Sequence, residues 1–205
     1  MKITHIKKYS AECIGTFALA FAVSMSLSGV FPIPTPVVAA LVLMLFVYTV
    51  GHISGTHINP AVTIGVWSIG KISSSDALGY IIAQFLGGGI AYYLTRILII
   101  PARVPVANSA WVGIGEMIGA FFLAFGISAV LYEKVPVDVT GVVIGGSLLL
   151  GASLATPLSN GIFNPAVALA AGSISFMYLL APIIGAVLAM HAYTWLVGGS
   201  RSPQK

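Results

Sequence analysis

Charged side chains are scarce in this sequence. Lysine, arginine, aspartate and glutamate together make up 7% of its 205 residues, whereas hydrophobic residues make up 58%. Soluble domains carry about 25% charged residues, with which they cover their surface. A chain this poor in charge is therefore predicted to be an integral membrane protein that has the lipid bilayer as a partner.

Groups that carry out chemistry are also scarce. Cys13 is the single cysteine, which excludes an internal disulfide and a cysteine metal cage. The sequence contains no nucleophile–base pair, phosphate-binding loop or cluster of metal ligands, so we expect no enzyme, no cofactor and no metal site. The net charge of +4 does not indicate nucleic-acid binding, because the basic residues lie in loops and tails.

Six long apolar runs are predicted to cross the membrane as helices. They cover residues 9–30, 37–50, 77–99, 109–131, 139–155 and 174–197, and the second begins slightly before residue 37. The first run is too long for a signal peptide and lacks a clear small-residue cleavage site, so we expect it to stay as a spanning helix. These runs place the chain in the all-α membrane class.

The tripeptide Asn-Pro-Ala occurs twice, as Asn59-Pro60-Ala61 and as Asn164-Pro165-Ala166. Asparagine is a strong N-cap, and proline at the first helical position loses only an N–H that has no partner there. Roughly ten apolar residues follow each copy, about 15 Å of helix or half a bilayer core. One copy could be an ordinary N-cap. Two copies in corresponding places favour two half-helices whose positive dipole ends meet near the membrane midplane.

The sequence contains an internal repeat. Glu12 and Glu116 lie 104 positions apart, and Asn59 and Asn164 lie 105 apart. Each half has the order span, span, half-helix, span. Because three full spans is an odd number, the second half enters the membrane upside down, as in inverted-repeat transport proteins whose discontinuous helices meet at the transport site. We therefore expect a single channel domain, 1–205, with repeats of about 1–104 and 105–205.

Basic residues are unevenly distributed between the loops. If both tails are cytoplasmic, that side carries seven of them: Lys2, Lys7, Lys8, Lys71, Lys134, Arg201 and Lys205. The other side carries only Arg96 and Arg103. The positive-inside rule therefore predicts a multi-pass protein of the cell membrane with cytoplasmic N- and C-termini.

These motifs resemble those of the aquaporin (major intrinsic protein) family. The resemblance rests on both Asn-Pro-Ala copies and their spacing, on the helix starts Ala11-Glu12 and Gly115-Glu116, and on the stretch Gly-His-Ile-Ser-Gly at 51–55. It implies a right-handed bundle of six tilted helices plus two half-helices, a homotetramer, and one pore in each protomer.

One departure from the family pattern bears on function. The resemblance places the outer constriction of the pore at four positions, Ala39, Ala152, Gly161 and Val167. The family pattern has arginine at the last of them, whereas all four are small and uncharged here. We therefore expect a wide outer filter that admits solutes larger than water. Phe163 or Tyr48 could refill this space, and the sequence leaves that open.

Four titratable residues are candidates for the pore wall or its support. Glu12 and Glu116 lie inside predicted spans, where a carboxylate is costly. They could relay protons or brace the half-helices by accepting backbone N–H bonds, and the resemblance favours the brace. His52 is expected to line the inner pore or to pack against its loop, and His57 could shape the inner vestibule.

The sequence therefore predicts a passive channel for water and small uncharged solutes, such as glycerol-like polyols, urea and neutral metalloid hydroxides. Asn59 and Asn164 set the centre of the pore by donating hydrogen bonds to a passing oxygen. Four alternatives stay open: a water-selective channel, an ion-leaky channel, a proton-coupled transporter and a structural membrane protein with a closed pore.

Overall fold

The computed structural model describes residues 3–29, 32–101, 104 and 106–198, and these ranges contain helices and no strand. In chain order the helices are α1 (His5–Leu27), α2 (Thr35–Ser54), α3 (Pro60–Ser68), α4 (Ser74–Leu98), α5 (Ala110–Leu131), α6 (Thr140–Ala155), α7 (Pro165–Ala171) and α8 (Phe176–Leu196). A short 3₁₀ turn, Val137–Val139, leads directly into α6. Helices α3 and α7 are the two half-helices, and the other six are the spans.

The six predicted spans are confirmed as helices that are long and apolar enough to cross a membrane. Their ends differ by a few residues: α1 begins at His5 instead of residue 9, and α2 continues to Ser54 instead of ending at residue 50. Gly55 then adopts the left-handed conformation, with φ of 85°, and its N–H donates to the carbonyl of Gly51. Glycine tolerates this conformation because it has no Cβ, so the helix ends where the glycine stands.

One face of the bundle holds the start of α1 and the end of α8, and we call it the N-terminal face. Here Asp76, in the first turn of α4, accepts a hydrogen bond from Lys8 Nζ at 2.9 Å and lies 2.7 Å from His5 Nδ1. Lys71 Nζ lies 4.7 Å from the centre of the Tyr132 ring, at the end of α5. These contacts join α1 to α4, and the turn before α4 to the end of α5, at this face. We call the other end of the bundle the opposite face.

The described basic residues are divided between the two faces as the sequence predicts. The N-terminal face carries Lys7, Lys8, Lys71 and Lys134, and the opposite face carries Arg96. The remaining residues of the orientation argument lie outside the described ranges: Lys2, Arg103, Arg201 and Lys205. Residue 105, at the predicted boundary of the repeats, also lies outside them.

The two halves pack in the same order. Helix α1 packs against α4 and α2, and α5 packs against α8 and α6. The α1–α4 and α5–α8 pairs each need a glycine where they meet, since a Cβ on Gly87 would collide with the carbonyl of Cys13, and one on Gly185 with that of Met117. The half-helices cross between halves, because α3 packs mainly against α8 and α7 mainly against α4. The bundle is therefore interlocked at its centre.

Candidate functional site

Each half-helix begins at an asparagine near the centre of the bundle. Asn59 Oδ1 accepts a hydrogen bond from the Ala61 N–H at 2.8 Å. Asn164 Oδ1 accepts from the N–H groups of Ala166 at 3.1 Å and Val167 at 3.3 Å. The prolines occupy the first helical positions, where the missing N–H costs nothing. The cap fixes the rotamer of each asparagine.

The amide nitrogens of the two asparagines cross to the opposite loop. Asn59 Nδ2 donates to the Phe163 carbonyl at 3.1 Å, and Asn164 Nδ2 donates to the Ile58 carbonyl at 2.9 Å. Ile58 and Phe163 have φ values of 38° and 29°, which large side chains rarely adopt. Each loop therefore holds the asparagine of the other. Since an amide NH₂ has two hydrogens, each asparagine keeps one further N–H.

Glu12 is fully buried beside the loop that precedes α3. Its carboxylate accepts four hydrogen bonds, from Ser54 Oγ (2.7 Å), His57 N–H (2.9 Å), Ile58 N–H (2.6 Å) and Gln84 Nε2 (2.8 Å). Two of these donors are backbone groups of the loop, which runs in a non-helical path and needs partners for its N–H groups. The carboxylate supplies them at the cost of burying a charge that only such donors can offset.

Glu116 has the same arrangement in the second half. It is fully buried and accepts hydrogen bonds from Ser159 Oγ at 2.7 Å and from the backbone N–H groups of Ile162 and Phe163. Both carboxylates therefore contact the residue that precedes an Asn-Pro-Ala copy. Glu116 has three donors in the described part of the chain, one fewer than Glu12.

The fourth donor, Gln84, belongs to a polar chain that is not predicted from the sequence. Gln84 Nε2 also donates to Thr63 Oγ1 at 2.9 Å, and Thr63 Oγ1 lies 3.2 Å from His57 Nδ1. This chain links Glu12 to His57. The available signal was that Gln84 is the only amide side chain in the apolar run 77–99.

A cavity of about 160 Å³ extends past both asparagines. Its polar side chains are Thr35, His57, Asn59, Thr156, Asn160 and Asn164. The remainder of the wall consists largely of aliphatic side chains from α1, α2, α5 and α6. No lysine, arginine, aspartate or glutamate is among the described residues that line it. A neutral solute in this space thus faces hydrogen-bond donors and acceptors on one side and an apolar surface on the other.

The structure brings the four predicted filter positions to one cavity. Ala39 extends from α2, Ala152 from α6 and Val167 from α7, and Gly161 lies in the loop before α7. Gly161 has φ of 63°, and a Cβ there would lie 2.8 Å from Thr156 Oγ1. This position therefore needs glycine for its backbone as well as for the space it leaves.

The other predicted residues separate into those in the wall and those outside it. His57 is buried and lines the cavity, whereas His52 is exposed in the last turn of α2 and does not line it. Tyr48 does not fill the filter either, because its hydroxyl donates to the Asp138 carbonyl at 3.0 Å on the N-terminal face. Phe163 is in the wall, but its ring packs closely against Gly119.

Comparison with known proteins decides the family. The sequence matches the family description "Major intrinsic protein" over residues 1–193. The chain belongs to the major intrinsic protein family. Among its relatives, nodulin-26 of Glycine max is 33% identical, with 94% of this chain and 79% of that protein covered. Aquaporin NIP1-1 of Zea mays is 30% identical, with 94% and 76% covered.

The fold is similar to the X-ray structure of the aquaglyceroporin from Plasmodium falciparum. The TM-score is 0.79 at 20% sequence identity, and 95% of this chain and 98% of that chain are covered. The predicted family and the all-α membrane fold are thereby confirmed. As a major intrinsic protein the chain is a passive membrane channel for water and small neutral solutes, and it is not an enzyme.

Proposed function

We propose that this channel has a wide outer filter and conducts glycerol-like polyols, urea and neutral metalloid hydroxides in addition to water. The observation that carries the proposal is that Ala39, Ala152, Gly161 and Val167 all line the cavity. None of these four residues has a ring, a charge or a long side chain, so these positions leave the mouth wide. Neither Tyr48 nor His52 reaches this space.

The centre of the pore selects for neutral solutes that accept hydrogen bonds. The positive ends of α3 and α7, each equivalent to about half an elementary charge, lie at the two asparagines and repel cations. The free N–H groups of Asn59 and Asn164 donate to a hydroxyl or carbonyl oxygen of the solute. In this proposal Glu12 and Glu116 brace the two loops, and His57 shapes the wall on the N-terminal side.

Stopped-flow light scattering on proteoliposomes tests this function. Vesicles are challenged first with sucrose and then with glycerol, and protein-free vesicles give the background. We expect fast shrinkage in sucrose, and fast reswelling after the initial shrinkage in glycerol. Fast shrinkage without reswelling would instead identify a water-selective channel and overturn the wide filter.

An ion leak is the second candidate, and one observation favours it. The family pattern has arginine at the position of Val167, and no other cationic side chain replaces it among the described lining residues. Planar bilayers under voltage clamp separate the two functions. We expect no current above background in potassium chloride at neutral pH, because the dipoles of α3 and α7 remain. A cation current that scales with the amount of protein would establish the leak.

We also infer the setting of the channel. The excess of lysine on the N-terminal face supports cytoplasmic N- and C-termini in the cell membrane. The family supports a homotetramer with one pore in each protomer. Chemical cross-linking in native membranes, which should give bands up to four chains, and protease access to tags at both termini test these assignments.

A further inference from the structure

The side chains that face the cavity change size along two helices. On α2, Ala39 and Leu43 both line the cavity and are four positions apart, so they lie on the same helix face. On α6, Leu148 and Ala152 have the same relation. Four residues of helix span about 6 Å. On each helix, therefore, a leucine and an alanine project into the pore about one turn apart.

The direction of these two helices places both leucines at the deeper level. Helix α2 runs from the opposite face towards the N-terminal face, so Leu43 lies nearer the middle of the membrane than Ala39. Helix α6 runs the other way, so Leu148 lies nearer the middle than Ala152. A solute that has passed the two alanines next meets two leucines, and each leucine carries three more carbon atoms than alanine.

Helices α1 and α5 contribute one leucine each to the same central region. Leu19 follows Glu12 by seven positions and Leu123 follows Glu116 by seven, which is two turns on the same helix face. Both leucines line the cavity. We define the leucine belt as Leu19, Leu43, Leu123 and Leu148. All four are buried, with exposures between 2% and 5%.

The two asparagines in the cavity wall are held in place by hydrogen bonds. Asn59 and Asn164 are each held by a cap bond to their own half-helix and by a bond to the opposite loop. The loops are held in turn by the two buried carboxylates. A solute at this level must fit between fixed amides on one side and branched aliphatic side chains on the other.

We propose that the leucine belt, and not the outer filter, sets the upper size limit for solutes in this channel. The proposal rests on the proposed function, since it concerns the solutes that the wide mouth admits. It assigns a specificity-determining role to Leu43 and Leu148 above all. The residues at the outer filter admit a broader range of neutral solutes than the centre passes.

The test truncates side chains of the belt to alanine and measures permeability to polyols of increasing length. Leu43→Ala, Leu148→Ala and the double variant are compared with wild type for water, glycerol, erythritol and xylitol in the reswelling assay. Leu41→Ala and Leu150→Ala are matched controls, because these leucines lie on the same two helices but are 51% and 48% exposed on the outer surface. We expect the double variant to raise the xylitol-to-water permeability ratio about tenfold, and the controls to leave it unchanged.

A second pair of variants tests the proposal if the alanine variants do not fold. Leu43→Phe and Leu148→Phe place larger side chains in the belt and narrow the pore, so they should lower the glycerol-to-water permeability ratio, whereas Leu41→Phe should not. If neither the alanine nor the phenylalanine variants change these ratios, the belt does not set the limit, even when wild type conducts glycerol as proposed. If wild type conducts water alone but the double alanine variant conducts glycerol, the belt is the limit and the proposed solute range of wild type is wrong.

Discussion

Val167 occupies the third position of α7, where its N–H is held by Asn164 and its side chain faces the cavity. Val167→Arg adds a long cationic side chain without changing the cap. We expect glycerol permeability to fall about tenfold and water permeability to fall much less, because water still passes a narrower mouth. Stopped-flow reswelling measures both.

A neutral variant of similar length, Val167→Met, separates size from charge. It should reduce glycerol permeability but leave any cation leak unchanged, whereas the arginine variant should suppress such a leak. Unchanged glycerol permeability in both variants would show that residue 167 does not border the narrow part of the mouth.

Gly161 is required by its backbone conformation. Gly161→Ala places a Cβ at a φ of 63° and close to Thr156 Oγ1, so we expect a loss of about 1–2 kcal/mol in the free energy of unfolding. The melting temperature in detergent should fall accordingly. Gly146→Ala is the matched control, because the residue is helical and no atom beyond the neighbouring residues and backbone of its own helix lies within 4 Å of the added Cβ. The control should stabilise the protein by about 0.5–1 kcal/mol, and equal melting temperatures for the two variants would contradict this account.

The position of the half-helix α3 depends on a side chain from another helix, Glu12 of α1, which holds the loop before α3. Glu12→Gln replaces one accepting oxygen with an NH₂ group that faces donors already present. Hydrogen bonds to charged groups contribute about 1.5–3 kcal/mol each, so we expect a marked loss of thermal stability and of water permeability. Glu116→Gln should cost less, because that carboxylate has three donors instead of four. Glu133→Gln, at an exposed position, is the control. A Glu12→Gln protein with normal stability and permeability would remove the brace from the mechanism.

Local sequence predicts the elements well, but their ends less well. Asn59 and Asn164 identify the half-helices because cap and proline act within a few residues of each other. The end of α2 is different, since residues 51–54 look polar yet stay helical. Ser54 is satisfied there by Glu12, which is 42 positions away in sequence. Such a distant partner leaves no local signal.

At the scale of the whole molecule, the repeat spacing predicts that the two halves meet, but it does not predict the hydrogen bonds between them. The bonds from Asn59 to Phe163 and from Asn164 to Ile58 join residues more than 100 positions apart. Among the described residues Glu116 has no donor that corresponds to Gln84, so the internal repeat gives no indication of the role of Gln84. The leucine belt was also missed, because an apolar run does not reveal which of its residues face a cavity and which face lipid.

The packing of each half-helix against the other half of the chain has a consequence for biosynthesis. Because α3 packs mainly against α8, the first half-helix gains its main neighbour only after the last span has been made. A nascent chain that stops before α8 therefore carries α3 without its main packing partner, although Glu12 already holds the loop that precedes α3. Protease protection of chains truncated before and after α8 should show the loop 55–59 cleaved in the former and protected in the latter. The first Asn-Pro-Ala copy therefore reaches its final packing only when synthesis is nearly complete, and the pore is assembled late in synthesis.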